Sequence, residues 1–533
     1  QAKTLFPYTT LFRSTFSGAV GNTTALSSLT TDAGTAGSVA INGGAITTTG
    51  AQSYGGAIIL GADTLMAAGA GNITLNGTVN DATSGTHSLT LNSTGVTTLQ
   101  AAVGNTAALR SVTTNAGGTL VMNGGAITTT GAQNYGQAVS LGDNTTLTST
   151  SAGDIRLGST LDGAYSLSVN TSGVTRLDGV VGGVTPLTSL TTDAPGSVLM
   201  NGSSVTTTGA QTYNDVVTLG AQATFTSTAD TLHFVRMTDG GTPLNLNLNA
   251  ATALVLGDVD VGGDLHVTVQ AGGVSQQANT SLNVGGTATF TADTGMHQVA
   301  ALTSTHNTFT GVLTLNQAHD GSWADVSVTT DAPLTLGPLQ SGGVVDLQTQ
   351  GALTTSSISA SGNLNINSHG GAVSLGMAIV SGAMTVQTGA GNVAQTGQLV
   401  VTGDTSIDAA TGSITLLNAL NIFGIAPAIV PGTPVPPTPT LALHGTNTSV
   451  ATSGNLQLSS VSNTGPMTLR APSGSIDLGT AFITGGDLTL QSRDDMNLGG
   501  ASITGSLNMS STTGSVSFGD RKSTRLNSSH DQR

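Results

Sequence analysis

The chain contains no cysteine and no glutamate, and its only lysines, Lys3 and Lys522, lie near its ends. Without cysteine there is neither a disulfide nor a thiolate metal site, whatever the compartment. Glu and Lys are among the better helix formers, so their lack beside abundant Thr, Val and Gly argues against helices. Aromatic residues are only 3% of the 533 positions, with one tryptophan, Trp323, which excludes a core built from large rings. No apolar run approaches the roughly eighteen residues that a spanning helix needs, so no membrane insertion is expected. Cations are scarce as well. The formal net charge is −15, and between residues 15 and 519 there are 25 aspartates against six arginines. Such a surface repels phosphate backbones and anionic membranes, and nucleic acid is not an expected partner. A Walker-type phosphate loop is excluded by the missing lysine. The nine histidines are scattered, with no ligand spacing.

Both ends read as something other than protein design. "TLFPYTTLFRS" at 4–14 and "DRKSTRLNSSH" at 520–530 match translated short-read sequencing adapters over eleven residues each. Segments 1–14 and 520–533 are therefore adapter-derived on this reading and are set aside from the fold argument. What remains is expected to be an internal stretch of a longer protein.

That stretch carries two nested periods. "TTTGAQ" occurs at 47–52, 128–133 and 206–211, each time followed by one residue and a tyrosine (Tyr54, Tyr135, Tyr213), so the long step is about eighty residues. Within it a small-polar-apolar-polar-apolar phrase returns every twenty or so: "GNLQL", "GSIDL", "DDMNL" and "GSVSF" begin at 454, 474, 494 and 514, and "GPMTL", "GDLTL" and "GSLNM" at 465, 486 and 505. The same two series begin earlier at 362, 382 and 403 and at 371, 391 and 412. Each phrase is a period-two strand with one apolar face. A coil of twenty residues buries little alone, but coils stacked like on like satisfy one another's backbone and share a narrow aliphatic interior. The expected fold is all-β, a parallel β-helix (β-solenoid) of about 20 residues per coil. Immunoglobulin-like sandwiches are the competing architecture, yet they leave the twenty-residue step unexplained and usually need a bulky ring or a disulfide.

The expected organisation is a solenoid with three long repeats over 15–232, divergent coils over 233–424, a Pro-rich loop or hinge at 425–440, and a further solenoid over 441–519. "APAIVPGTPVPPTPT" at 426–440 marks the break, since proline removes ladder donors. Few places offer chemistry. "GDVDVGGDLHV" sets Asp258 and Asp260 on one strand face with Asp264 and His266 close by, an arrangement that suits Ca²⁺ or paired carboxylates, with solvated outward residues as the plainer reading. "HDGSWAD" sets Trp323 among His319, Asp320 and Asp325, either an exposed ring for a sugar or a loop held by one buried ring. Arg493, Asp494 and Asp495 read as a local ion pair. No catalytic, cofactor or metal residue is assigned, and no cofactor is expected.

The phrases "GNLNINS", "GAMTVQTGAGNV", "GNLQLSS" and "GGDLTLQS" resemble the shaft repeats of filamentous-haemagglutinin-like bacterial exoproteins. The resemblance implies a right-handed parallel β-helix, an extracellular or outer-membrane-associated location, and export by a two-partner or autotransporter route with an outer-membrane secretion partner. It also implies a role in adhesion or biofilm, with glycans or proteins of host or neighbouring cells as partners. A β-helix polysaccharide-binding or polysaccharide-cleaving protein is the alternative function. Strand edges left open at the ends of an excised stack would favour edge-to-edge self-association.

Overall fold

In a computed structural model the described residues are 13–31, 37–294, 297–319, 321–424, 438–479 and 485–518. Among them every regular element is a strand. By internal contacts the chain divides into two compact units, Gln1–Val261 and Gly262–Arg533, and each is a parallel β-solenoid.

In the first unit one turn consists of Ser111–Thr114, Thr119–Met122 and Ala126–Thr129, and the next of Gln133–Tyr135, Ala138–Leu141 and Thr145–Ser149. Each strand pairs in parallel with its successor: Val112 with Gln133, Thr119 with Ala138, Ala126 with Thr146. Three columns of strands therefore run along the stack. Burial alternates along each strand as the period-two phrase requires: Val112, Leu120, Ile127, Val139 and Leu147 point inward, joined by the buried polar Thr114, Thr129 and Thr145, while the residues between them face out.

The second unit shows the short step directly. Leu456, Ile476, Met496 and Val516 lie in successive turns, twenty residues apart. Met467, Leu488 and Leu507 form the interleaved column. Leu364, Met384 and Thr405, and Val373, Val393 and Ile414, repeat the arrangement earlier. Residues twenty apart thus occupy neighbouring layers.

Glycine recurs at the corners because turns approach there backbone to backbone. A Cβ on Gly371 would come 2.2 Å from the carbonyl carbon of Gly351, one on Gly391 2.1 Å from Gly371 O, and one on Gly412 2.2 Å from Gly391 O. No side chain fits such a gap. The few rings that the chain has are mostly interior: Trp323, Tyr54, Tyr135, Tyr213, Phe225, Phe234 and Phe290 are fully buried. Tyr213 stacks on Phe234 at 4.9 Å, and Phe225 meets both rings edge-on at 5.5 and 5.2 Å, geometries that aromatic quadrupoles favour.

Residues 425–437 of the Pro-rich segment lie outside the described residues. On either side the stack is continuous, because Thr405 pairs with Leu441 and Ile414 with Thr448. The step there is 36 residues where its neighbours have about twenty. Near the start, Arg13–Phe16 pairs with Ser38–Ile41, so Arg13 and Ser14 of the set-aside segment carry backbone pairing. Residues 1–12 and 519–533 lie outside the described residues.

Candidate functional site

The recurring "TTTGAQ" phrase is an interior device. Gln52, Gln133 and Gln211 are fully buried, as are the tyrosines two residues on. In the first copy Gln52 Nε2 donates to Ile46 O at 3.2 Å, to Thr48 Oγ1 at 3.2 Å and to Ala67 O at 2.8 Å, while the Tyr54 hydroxyl donates to Gln52 Oε1 at 2.9 Å. Gln133 and Gln211 repeat this set on Ile127, Thr129, Thr148 and Tyr135, and on Val205, Thr207, Thr226 and Tyr213. One amide therefore holds carbonyls of two consecutive turns where the chain bends and the ladder is broken. Burial pushes the phenols of Tyr54, Tyr135 and Tyr213 well above their ordinary pKa, so each keeps its proton as a donor. In the second unit buried asparagines do similar work. Asn307 donates to Gln276 Oε1, Leu302 O and Thr329 O, and Asn421 to Gln395 Oε1, Leu416 O and Ala451 O.

A second device lies at the outer corners. An Asp or Asn one or two residues past the corner glycine accepts a backbone N–H at the start of the strand in the next turn. Asp63 takes Ser88 N at 2.9 Å, Asp154 takes Val174 N, Asn363 takes Ala383 N, Asn455 takes Ser475 N and Asp487 takes Ser506 N. At Asp63 and Asp495 the cap favours the charged carboxylate. The backbone bond from Ser88 leads in lowering Asp63, and that from Ser515 leads for Asp495. Asp81 is driven upward by burial, but the combined bonds from His87, Thr86 and Thr83 outweigh this and leave it lowered. Its contact with His87 Nδ1, at 2.6 Å, ties the same turn.

The sequence candidates separate rather than gather. Asp258 and Asp260 sit on the outward face of Leu254–Val261, opposite Arg236 and Thr238 of the preceding turn. Asp264 is an inter-turn cap, held below its ordinary pKa chiefly by the backbone N–H of Thr287 and also by its hydroxyl. His266 points outward. Among the described residues no group of three or more His or Asp side chains can hold a metal ion. Trp323 is fully buried and donates from Nε1 to Asn316 O at 2.9 Å, which overturns the exposed sugar-stacking ring and leaves the buried anchor. His319 meets Asp293 at 2.6 Å, and Asp325 caps Val344 N. Asp320 lies outside the described residues. Arg493 and Asp494 form a two-point pair at 3.0 and 2.9 Å.

Residues 244–316, 324–379 and 369–428 match a family model described as repeats of unknown function (DUF5649). No curated protein and no solved structure matches the chain. The family match falls on the divergent coils and not on the three "TTTGAQ" copies.

One feature of the surface was not singled out by sequence. In the second unit Leu417, Pro472, Arg470, Gln491, Ser510 and Thr512 line an open cleft of about 450 Å³. Arginine type alone does not show which cation lacks a carboxylate, and no motif marks the position.

Proposed function

We propose that the chain is a length of the structural shaft of a secreted or surface-anchored bacterial adhesin, serving adhesion or biofilm. The observation that carries the reading is how polar groups are spent. Buried amides and corner carboxylates bind one turn to the next, throughout both units, instead of converging on a reacting point. Stacks of this kind gain stability from nearest-neighbour interfaces and extend by adding turns, which suits a spacer. The resemblance of the repeat phrases to exoprotein shafts points the same way, although fold alone does not decide function. Polysaccharide cleavage asks for an acid and a base on either side of one bond, whereas Asp258 and Asp260 share the outward face of a single strand, opposite Arg236 and Thr238.

The reading is tested on the organism's intact cells with antibodies raised against the interior of the chain. Labelling of unpermeabilised cells, removed by external protease together with adhesion, is expected. Label that emerges only after permeabilisation would overturn it.

A further inference from the structure

Five of the six interior arginines have an acidic neighbour. Arg110 meets Asp63 at 2.9 Å, Arg156 meets Asp178 at 2.6 Å, Arg176 lies 3.9 Å from Asp154, and Arg493 pairs with Asp494. Arg236 stands opposite Asp258 in the ladder. Arg470 differs: its ladder neighbours are Ala451 and Gln491, and among the described residues it has no carboxylate partner. In a chain with so many more aspartates than arginines this is a conspicuous omission. The cleft of about 450 Å³ into which Arg470 opens has no acidic residue in its lining, and its size falls in the range of small-molecule sites.

The rest of the lining sorts by chemistry. Gln491, Ser510 and Thr512 lie on the two turns beyond Arg470, and none of their side chains makes a hydrogen bond among the described residues. Leu417 is 51% exposed and, with Pro472, gives the cleft an apolar wall. The backbones of Thr448–Ala451, Met467–Ala471 and Leu488–Ser492 are paired on both sides, so these three turns of the cleft offer no strand edge to an incoming peptide; among the described residues the column ends at Leu507–Ser511, which pairs on one side. What is offered is one guanidinium, several neutral hydroxyl and amide groups, and a non-polar face.

We propose that this cleft binds a carboxylate-bearing sugar, a uronate unit of an acidic glycan. Arg470 takes the carboxylate in the two-point geometry that guanidinium favours. Gln491, Ser510 and Thr512 take ring hydroxyls, and Leu417 and Pro472 cover the C–H face. This site is independent of where the protein resides and stands or falls separately from the shaft reading.

The test is calorimetric titration of the full chain with tri-galacturonate, its methyl ester and a neutral galactose trimer. Saturable binding of the acid is expected, at least about tenfold weaker for both neutral ligands, and weakening as salt rises. Arg470→Gln should weaken acid binding about tenfold or more, while Arg236→Gln, outside the cleft, should leave it unchanged. Leu417→Asp should also weaken it, by bringing a like charge to the apolar wall. Equal binding of acid and ester, binding unaffected by Arg470→Gln, or no saturable binding below about 10 mM would overturn the site. Tri-aspartate binding as tightly as the trisaccharide would overturn the sugar assignment.

Discussion

The second and third long repeats of the first unit build the same corner with different atoms. After "TTTGAQNY" the second repeat places Gln137, and after "TTTGAQTY" the third places Asp215; both are buried. Gln137 Nε2 donates to Ser93 O at 2.9 Å. The corresponding position of the third repeat brings Asp215 Oδ1 toward the carbonyls of Thr171 and Gly173, all three within 3.2 Å of the place where a Cβ of Gly196 would stand. An amide N–H₂ is a donor, whereas a carboxylate has nothing to donate. Neither Asp215 oxygen has a hydrogen-bond partner of good geometry among the described residues, and the nearby Thr192 hydroxyl has none either. Burial pushes the Asp215 carboxyl up to about 6; the Thr192 hydroxyl opposes this weakly and the Asp193 charge adds to it. The comparison teaches that the solenoid accepts an acid at an amide position by letting it hold its proton up to about pH 6, which makes one turn pH-sensitive in a way its neighbour is not.

The largest expected effect falls where the two repeats agree. Gln133 and Gln211 hold matching partners at closely similar distances. Gln133→Leu and Gln211→Leu should each leave two carbonyls and a phenol without partners, costing about 3 kcal/mol of local stability. Hydrogen exchange read on peptides of the affected and adjacent turns checks this. Unequal losses would mean that the repeats differ at more than Asp215.

A second effect, at most about 3 kcal/mol in all, is specific to the third repeat. The folded pKa of Asp215 is raised above its unfolded value of about 3.8, so the folded state holds the extra proton. Stability is therefore fullest below about pH 4 and declines as pH rises toward about 6, losing at most about 1.4 kcal/mol for each pH step of one between those values. Exchange protection around 190–219 should fall across that window, while the equivalent turn at 112–141 should not respond. Asp215→Gln should abolish the difference and raise protection at pH 7. A third repeat indifferent to pH would show that the carboxyl has found a donor or a cation.

Sequence made the stacking step readable because one physical cause fixes every phrase. The corner glycine must lie against the glycine or cap of the turn before it, as Gly474 does over Gly454 and Gly382 beside Asn363 Oδ1, so its spacing is the spacing of turns. The inward networks were not readable in the same way. Gln and Thr are usually surface residues, and a run such as "TTTGAQ" gives no sign that its amide spans two turns until the turns are superposed. Trp323 left two readings open, and only its burial and its bond to Asn316 O chose between them. The cleft at Arg470 depends on an acid being absent from the places in register with it, Ala451, Gln491 and Ser510, which is a property of the stack and not of any local stretch.

The smallest expected effect sharpens the contrast at a single hydroxyl. Thr114 and Thr192 occupy equivalent inward places, both buried, and neither hydroxyl makes a hydrogen bond of good geometry. Beside Gln137 the Thr114 hydroxyl has no charge to respond to, so Thr114→Val exchanges an idle polar group for a methyl and should be neutral or slightly stabilising. Beside Asp215 the Thr192 hydroxyl favours the charged carboxylate. Thr192→Val should therefore move the pH midpoint of the third repeat upward, with a change below about 1 kcal/mol at pH 7, read from the same exchange profiles. If both substitutions behave alike, the Thr192 hydroxyl does not sense Asp215, and burial with the Asp193 charge accounts for the raised carboxyl.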